Sequence, residues 1–520
     1  MSITVSFDTI WEELSMNISN LLARNARKYP NNVAIISLGQ QVTYEELNEM
    51  VNKAAQVLVN QGFQKGDKLA IYMPNVTEFV VLYFAIQRIG AVVVPINAKF
   101  VTAEIEYVLE NCDAKAIFAH ELIFANVQHV QFDGWCVKTG QSVDGWTSLD
   151  TLLNLEETPQ IECWLSEEDD STLLYTSGTT GKPKGVLLTN RNILAVATMI
   201  AIEMEVKPES RLLIMMPLTH SAPLNLFLGA AVLVGATSVL TPTFTPDLLL
   251  NTVQTYKTTH FFGAPVAYLL TASHPQLQNT DLSSMKWWVY GGAPLSESEV
   301  RYIQQQFKSE NLVCVYGLTE AGPSGSILHA NEHKQKAGSI GQRAPFGTEI
   351  RIVNDKNDDV APGEIGEILL YGEGNMKEYY KNPEETSKVF VDGWVRSGDL
   401  AQFDEDGFMY IVDRKKDVII SGGVNIYPKE IEDCIVQHED ITEVAVFGVP
   451  HPEWGETVKV AYVGKRPFSK DELKTYLNDK LASYKIPKLY EQLDALPRNA
   501  SGKILKQQLR GEAIASTSFS

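Results

Sequence analysis

The run TSGTTGKPKG, from Thr176 to Gly185, is the stretch from which the fold can be worked out. It stands between two apolar segments, STLLY at 171–175 and VLL at 186–188, which read as short buried strands. The same composition elsewhere is typical of a surface linker, but a polar run held between two buried strands has a fixed path. The pattern therefore predicts a loop that is held in place to contact a ligand.

The residue types of this loop suit phosphate groups. Glycines let backbone N–H groups approach a ligand closely, hydroxyl groups can donate to phosphate oxygens, and lysines supply positive charge. The Walker pattern is excluded, because it needs a longer glycine spacing and a hydroxyl residue where this chain has Pro183. The loop predicts a different nucleotide-phosphate site, whose candidate residues are Thr176, Ser177, Gly178, Thr179, Thr180, Gly181, Lys182 and Lys184.

The segments before this loop alternate between helix and strand patterns. Residues 43–62 open with the capping box Thr43 to Glu46, continue with helical apolar spacing and stop at a glycine. KLAIYMP at 68–74 then predicts a strand, 77–90 a helix and AVVVP at 91–95 another strand. A strand, helix and strand at this spacing form a βαβ unit, which predicts a parallel sheet.

The pattern changes near residue 350 to short strands with turn residues between them. We interpret residues 345–413 as a β-rich subdomain that closes a large N-terminal domain, residues 1–413. Residues 414–520 predict a small α+β domain, with the boundary near Asp413 to Asp417. The expected fold is thus α/β, with parallel-rich sheets in the large domain and a small, mobile C-terminal domain.

Composition limits the class of function. The chain has 520 residues, 44% of them hydrophobic, and a formal net charge of −20 at pH 7, which disfavours nucleic acid as a partner. The five cysteines are scattered without a C-x-x-C pair, which predicts a reducing compartment and no cysteine zinc site. No signal peptide or transmembrane segment is expected. We expect a cytoplasmic enzyme of at least two domains.

Six motifs, in order, carry a resemblance to a known family. They are the TSGTTGKPKG loop, GGAPL at 291–295, YGLTEAG at 316–322, SGDL at 397–400, DRKKD at 413–417 and SGK at 501–503. From about residue 20 to residue 510 the chain resembles the adenylate-forming superfamily of acyl-CoA synthetases, peptide-synthetase adenylation domains and luciferases. Each motif alone is weak, but their common order makes chance a poor explanation.

The resemblance implies a nucleotide site built from several motifs. Glu320 would bind Mg²⁺ at the ATP phosphates, and Thr319 would reach the α-phosphate. Asp399 would accept hydrogen bonds from the ribose hydroxyls, with Arg414 assisting. The remaining nucleotide-binding positions implied by the resemblance, with the adenine slot among them, are Gly291, Gly292, Ala293, Pro294, Tyr316 and Gly317.

The same resemblance implies two half-reactions. Lys503 would orient the substrate carboxylate and stabilise charge at the α-phosphate, while the carboxylate itself is the nucleophile that expels pyrophosphate. The small domain would then swing about a hinge at Lys416 and present Ser421, Gly422 and Gly423 to the pantetheine arm of CoA. Many relatives carry an aspartate at the hinge position, so the charge at Lys416 departs from the commoner pattern.

The acid and the acceptor are less constrained. His220 is the candidate gate to an acyl pocket, and no acidic residue that could pair an amino acid's ammonium lies between Pro217 and Phe227. The pocket candidates are small or apolar, with no lysine or arginine to hold a second carboxylate: Phe261, Phe262, Gly263, Ala264, Tyr290 and Leu318. A medium- or long-chain fatty acid fits this set best, and an aryl acid stays open.

The expected substrates are therefore a small-molecule carboxylic acid, ATP with Mg²⁺, and CoA as the acyl acceptor, which we expect to come from outside the chain because no carrier domain is seen after Lys503. An alternative is an acyl-AMP ligase that loads a separate carrier protein. A non-catalytic acyl or nucleotide sensor is disfavoured by the joint presence of Glu320, Asp399, Arg414 and Lys503. A luciferase-type oxygenase has no identifiable luciferin pocket to support it, and a homodimer is left open.

Overall fold

A computed structural model describes residues 17–154, 161, 165–176, 183–293, 295–478, 480–498 and 504–517. The chain divides into two compact units. The large unit contains residues up to 350 together with 370–396, and the small unit contains 351–369 together with 397–520. The fold is mixed α/β, as expected. Compared with the predicted C-terminal domain, residues 414–520, the small compact unit also includes residues 351–369 and 397–413. The predicted functional boundary between residues 413 and 414 stays a prediction.

The first of the two large sheets has eight strands and lies in the large unit. Its central strands run parallel and each edge strand is antiparallel to its neighbour. In spatial order the strands are Gly325–Leu328, Leu312–Gly317, Trp287–Gly291, His260–Gly263, Arg211–Ile214, Thr237–Leu240, Val33–Ser37 and Gln40–Thr43.

The second eight-stranded sheet contains the two strands that flank the predicted phosphate loop in the sequence. Its strands, in spatial order, are Glu378–Tyr379, Lys184–Thr189, Asp170–Thr176, Val92–Pro95, Lys68–Tyr72, Ala114–Ala119, Trp135–Lys138 and Thr147–Ser148. The predicted βαβ unit is confirmed, because strands Lys68–Tyr72 and Val92–Pro95 pair in parallel and helix Thr77–Arg88 connects them. The two strands that flank the phosphate loop are antiparallel.

Helices surround these sheets. The capping box predicted at Thr43 is present, with Glu46 N donating to Thr43 Oγ1 at 3.2 Å and Thr43 N donating to Glu46 Oε2 at 2.8 Å. None of the helices in the described ranges combines the length and apolarity that crossing a membrane would require. The α-helices of the large unit are Ile18–Lys28, Tyr44–Asn60, Thr77–Arg88, Thr102–Asn111, Leu149–Leu152, Asn190–Glu203, Gly229–Val234, Pro246–Tyr256, Pro265–Ala272, Glu297–Phe307, His333–Lys336 and Pro383–Val389.

The predicted change to short strands near residue 350 is confirmed. Three strands each contain a boundary between the two units within their own sequence: Thr348–Val353, Gly366–Gly372 and Trp394–Phe403. A fourth strand, Phe390–Val391, lies in the large unit. The small unit contains strand Met409–Arg414, and a further sheet packed with helices Pro428–Ile435, Lys470–Asn478 and Lys506–Thr517. The strands of that sheet are Val424–Ile426, Ile419–Ser421, Gly455–Gly464, Ile441–His451 and Leu489–Gln492.

A buried carboxylate anchors the loop that follows the first sheet. Both oxygens of Glu203 accept hydrogen bonds from Arg343, at 3.0 and 2.8 Å, and Phe346 N donates to Oε1 at 2.8 Å. Burial acts to raise the pKa of Glu203, but hydrogen bonds from His329, Arg343 and Phe346 outweigh it and hold that pKa well below its usual value. The ionised Glu203 thus fixes residues 343–346 against the end of helix Asn190–Glu203.

We expect Glu203→Gln to lower the free energy of unfolding by about 2 kcal/mol at pH 7, because the charged acceptor is lost. A carboxyl group with a depressed pKa in the folded state stabilises the fold above its unfolded pKa, near 4.3, and that contribution disappears as pH falls further. Urea unfolding of wild type and variant should therefore converge toward acid pH. The exposed Glu209→Gln serves as control, and a pH-independent difference would contradict the electrostatic account.

Candidate active site

The two strands that flank the phosphate loop pair with each other in the second sheet. Thr176 and Lys184 are opposite each other in the antiparallel pair of strands, so the ends of the loop are close together. The loop residues Ser177, Gly178, Thr179, Thr180, Gly181 and Lys182 lie outside the described residues. Their contact with phosphate stays a prediction, whereas the two strands that hold the loop are where the sequence placed them.

Lys184 has an anionic partner within the large unit. Its Nζ forms an ion pair with Glu385 and lies 5.2 Å from the centre of the Tyr379 ring. The hydrogen bond from Lys184, with a second from Lys388, lowers the pKa of Glu385. The Lys184 side chain is only 15% exposed. A phosphate at Lys184 would therefore compete with Glu385, which makes this lysine an anchor of the loop as well as a candidate phosphate ligand.

The Glu320 turn follows the last parallel strand of the first sheet. Thr319–Ala321 forms one turn of 3₁₀ helix, and Gly322 ends it with a φ of +89°. A side chain at Gly322 would meet the carbonyl oxygen of Gly374 at 2.4 Å, so only glycine fits here. Glu320 Oε1 accepts a hydrogen bond of 2.7 Å from the Tyr379 hydroxyl, and its backbone oxygen accepts one of 2.8 Å from Met376 N.

His220 belongs to a segment that contacts this turn. The hydroxyl oxygens of Ser221 and Thr319 lie 3.1 Å apart, so the segment after His220 is held against Thr319. A π-helix, Ala222–Leu228, follows directly, a form often found at functional sites. Burial, and secondly the charge of Lys99, hold the pKa of His220 below its usual value, so the imidazole is neutral at neutral pH. The structure thus brings His220, Thr319 and Glu320 into one neighbourhood.

The glycines proposed for the adenine slot serve different purposes. A side chain at Gly291 would meet the Val315 carbonyl oxygen at 2.6 Å, so this glycine allows neighbouring strands to approach. A side chain at Gly317 would likewise meet the Pro323 carbonyl oxygen, at 2.4 Å. Gly292 has a φ of +82° and nothing within 4 Å of its missing side chain, so open space adjoins it.

The other positions of the predicted slot lie nearby along the chain. Half-buried Tyr316 lies near the carboxyl end of the strand next to Gly291, and Ala293 is exposed. Pro294 lies outside the described residues. The carboxyl ends of parallel strands form one edge of a sheet, which is where open α/β folds bind ligands. The binding of adenine there stays a prediction.

The candidate acyl-pocket residues divide between two faces of the first sheet. Phe262 lies 5.9 Å, ring centre to ring centre, from Phe227 of the π-helix that follows His220. Phe261 instead packs with Tyr268 and Trp288, at 5.6 and 6.1 Å. Successive strand residues point to opposite faces, so this division is expected. Phe262 is therefore the aromatic candidate on the His220 side.

The remaining candidates are placed as follows. Tyr290 lies on the Phe261 face, where its hydroxyl oxygen is 3.1 Å from Nε2 of His333. The missing side chain of Gly263 would meet the Phe261 ring at 2.8 Å. Ala264 and Leu318 are half-buried and precede helix Pro265–Ala272 and the Glu320 turn, respectively. The contribution of each residue to an acyl pocket stays a prediction.

In the small unit, the predicted ribose residues are brought together. Asp399 and Arg414 are opposite each other on antiparallel strands, and Arg414 Nε is 2.5 Å from Asp399 Oδ1. The Asp399 side chain is 7% exposed, and its backbone N–H donates to Ser397 Oγ at 3.0 Å. Gly398 has a φ of +69° and no atom near its missing side chain. The SGDL motif thus fixes a buried carboxylate beside an arginine.

The predicted hinge and the predicted CoA-side glycines also lie in the small unit. Lys416 is exposed in a single 3₁₀ turn, Lys415–Asp417. Ser421, Gly422 and Gly423 form the tip of a hairpin, and both glycines have positive φ and open space beside them. Lys503, with Ser501 and Gly502, lies outside the described residues. The roles of these residues stay predictions.

The donor set around Glu320 fits Mg²⁺ carried by a phosphate ligand. Within the described ranges, no group of three or more His, Cys, Asp or Glu side chains could form a metal cage. Mg²⁺ commonly takes one or two carboxylates together with substrate phosphates and water, so a single half-buried carboxylate is sufficient. The residues present thus fit a nucleotide-bound Mg²⁺ better than a resident metal ion.

Three residues of this neighbourhood were missed by sequence reasoning. Tyr379 contacts Glu320, and Glu385 contacts Lys184. No sequence motif identified Tyr379 or Glu385 as part of the site. Asn225 is fully buried in the π-helix, and its amide donates to the Gly322 carbonyl oxygen at 3.2 Å. Asn225 did carry a signal, because a lone polar residue within the apolar run APLNLFL needs a specific partner.

Comparison with known proteins shows the family to which the chain belongs. Residues 22–380 match the family model for the AMP-binding enzyme, and residues 430–503 match that for the AMP-binding enzyme C-terminal domain. A long-chain-fatty-acid–CoA ligase of Bacillus subtilis strain 168 is 36% identical, over 95% of this chain and 94% of the relative. A feruloyl-CoA synthase of Amycolatopsis sp is 36% identical, over 94% of this chain and 97% of the relative.

A solved structure leads to the same class. The O-succinylbenzoate coenzyme A synthetase of Bacillus subtilis, in complex with ATP and magnesium ion, aligns with a TM-score of 0.84 and 32% identity. The alignment covers 94% of this chain and 99% of that one. These comparisons support an adenylate-forming acyl-CoA ligase and leave the acid unresolved. By its fold, its motifs and these matches, the chain belongs to the family of AMP-binding enzymes.

Proposed function

We propose that the protein is an ATP-dependent acyl-CoA ligase that activates a medium- or long-chain fatty acid as acyl-AMP, releases pyrophosphate and transfers the acyl group to CoA. The observation that carries this proposal is the meeting of Thr319, Glu320 and the His220 segment at one turn of the large unit. At that turn, Glu320 offers a carboxylate for a phosphate-bound metal and Thr319 offers a hydroxyl for the α-phosphate. The neighbouring His220 segment is the proposed entrance to an apolar acyl pocket.

In the first half-reaction the acid needs no general base, because its carboxylate is already the nucleophile. The difficulty is repulsion between this carboxylate and the phosphates. Lys503 and the phosphate loop would supply positive charge and N–H donors to the α-phosphate, and Mg²⁺ bound with ATP would neutralise further charge. Asp399, held by Arg414, accepts from the ribose hydroxyls and orients the nucleotide. Pyrophosphate leaves as the acyl–phosphate bond forms.

The neutral His220 suits an apolar entrance better than a charged one. With a lowered pKa it presents no positive charge to attract a second carboxylate. Phe227, in the π-helix that follows His220, packs with Phe262, and these rings are the apolar surface proposed for a hydrocarbon chain. The similarity to a long-chain-fatty-acid–CoA ligase supports this reading. An aryl acid is the second candidate, since the equally similar feruloyl-CoA synthase is named for an aromatic acid.

CoA is the proposed acceptor. The relatives named above are CoA ligases or CoA synthases. In the small unit, the hairpin tip at Ser421, Gly422 and Gly423 has space beside both glycines, as a narrow pantetheine arm would require. The alternative acceptor, a carrier protein, predicts that acyl-AMP accumulates even when CoA is supplied.

The test is pyrophosphate release from Mg²⁺-ATP across a panel of fatty and aryl acids, with and without CoA, and with products identified by mass spectrometry. Fatty acyl-CoA formed only when CoA is present would support the proposal. Turnover restricted to aryl acids would show that the substrate is an aryl acid and not a fatty acid. Acyl-AMP that accumulates regardless of CoA would favour a carrier protein as the acceptor. Absence of turnover with every acid would favour the sensor hypothesis.

A further inference from the structure

We propose that Tyr379 is a positioning residue for the metal-binding carboxylate: its hydroxyl holds one oxygen of Glu320, so that the carboxylate is fixed before ATP and Mg²⁺ arrive. This inference rests on the proposed function, which assigns Glu320 to the metal. The Tyr379 hydroxyl donates to Glu320 Oε1 at 2.7 Å. In the part of the chain that the structure describes, this is the one hydrogen bond made to that carboxylate.

Tyr379 is itself held firmly. It is 6% exposed and lies on the short strand Glu378–Tyr379, where it pairs with Val186 of the strand that leaves the phosphate loop. Its backbone N–H donates to Thr386 Oγ1 at 3.0 Å. The pairing of the strand fixes the backbone of Tyr379, and burial restricts the rotation of its side chain. The hydroxyl group is therefore held in one position.

The ring of Tyr379 is also in contact with the charge at the end of the phosphate loop. Lys184 Nζ lies 5.2 Å from the ring centre and is ion-paired with Glu385. A cation at this distance from an aromatic ring is attracted to it. Tyr379 thus stands between the lysine that ends the phosphate loop and the carboxylate assigned to the metal.

Glu320 is held at two points by one segment of the chain. Met376 N donates to the backbone oxygen of Glu320 at 2.8 Å, and Tyr379 binds the side chain three residues later. A carboxylate that is already oriented loses less freedom when it binds a metal. Phenylalanine at position 379 would keep the packing of the ring and remove only the hydroxyl that orients Glu320.

The test compares the dissociation constant of ATP in excess Mg²⁺ with that in EDTA, measured by calorimetry without any acid so that no turnover occurs. The ratio of the two constants is the Mg²⁺-dependent gain in affinity. We expect Tyr379→Phe to reduce this ratio about tenfold, a usual effect of removing an outer partner of a metal ligand. Glu320→Gln should reduce it at least as much. Tyr380→Phe, which alters a half-buried neighbour, should leave it unchanged.

The outcomes separate the inference from the proposed function. If Tyr379→Phe keeps the wild-type ratio, or weakens ATP binding equally with Mg²⁺ and with EDTA, the positioning role is overturned. If Glu320→Gln keeps the wild-type ratio, the metal assignment itself fails and the inference fails with it. In the Glu320→Gln background, Tyr379→Phe should cause no further change, and an additional reduction would mean that Tyr379 acts by another route.

Discussion

Replacement of Lys503 by alanine is expected to slow acyl-AMP formation by about a thousandfold, the usual scale for removing a group that stabilises developing charge. The expectation comes from the SGK motif at residues 501–503 and from the chemistry of the step. A carboxylate that attacks a phosphate must approach like charge, and a lysine that contacts both partners relieves that repulsion in the transition state. Attack of CoA on acyl-AMP needs no such charge and should fall by only a few-fold.

The two half-reactions can be measured separately, as pyrophosphate formation from ATP and as acyl-CoA formation from supplied acyl-AMP. Lys506→Ala is the matched control, because this lysine lies three residues away and pairs with Glu432 at 2.7 Å. Its loss should affect stability and leave both half-reactions near wild type. A Lys503 variant in which both half-reactions fall together would contradict the proposal that Lys503 serves only the first of them.

The elements of the fold were readable from the sequence because they depend on local patterns. The helix capped at Thr43 and the strands on either side of the phosphate loop follow from capping residues and apolar periodicity. The order of the strands within a sheet does not follow from such local patterns. Strand Val33–Ser37 pairs with Thr237–Leu240, about two hundred residues away, and a period of two says nothing about which strand will be the neighbour.

The site divides in the same way. Asp399 and Arg414 could be anticipated together, since both belong to motifs and the strands that carry them form a hairpin. The contact of Tyr379 with Glu320 could not, because it depends on the path of the chain between them. The partner of Lys184 was hidden for the same reason. The separation of Phe261 from Phe262 was, by contrast, present in the alternation of a strand and could have been used.

Asp399→Asn should weaken ATP binding by about thirtyfold, because the charged acceptor offered to two ribose hydroxyls becomes a weaker neutral one. The structure makes this carboxylate rigid: it is 7% exposed and its Oδ1 lies 2.5 Å from Arg414 Nε. The variant keeps the shape of the side chain but removes the carboxylate with which Arg414 pairs. The dissociation constant of Mg²⁺-ATP, measured by calorimetry, reports the loss directly.

Nucleotide analogues distinguish a ribose contact from a general loss of structure. Wild-type protein should bind 2′-deoxy-ATP and 3′-deoxy-ATP about tenfold more weakly than ATP, since each analogue lacks one hydrogen bond to a charged group. Asp399→Asn should lose most of this discrimination, because a hydroxyl that has no charged acceptor contributes little. Asp404→Asn, which alters a carboxylate that binds the backbone of the next turn, should retain it. If Asp399→Asn still rejects both analogues as strongly as wild type does, Asp399 acts only on the stability of the small unit, and the ribose must be recognised elsewhere.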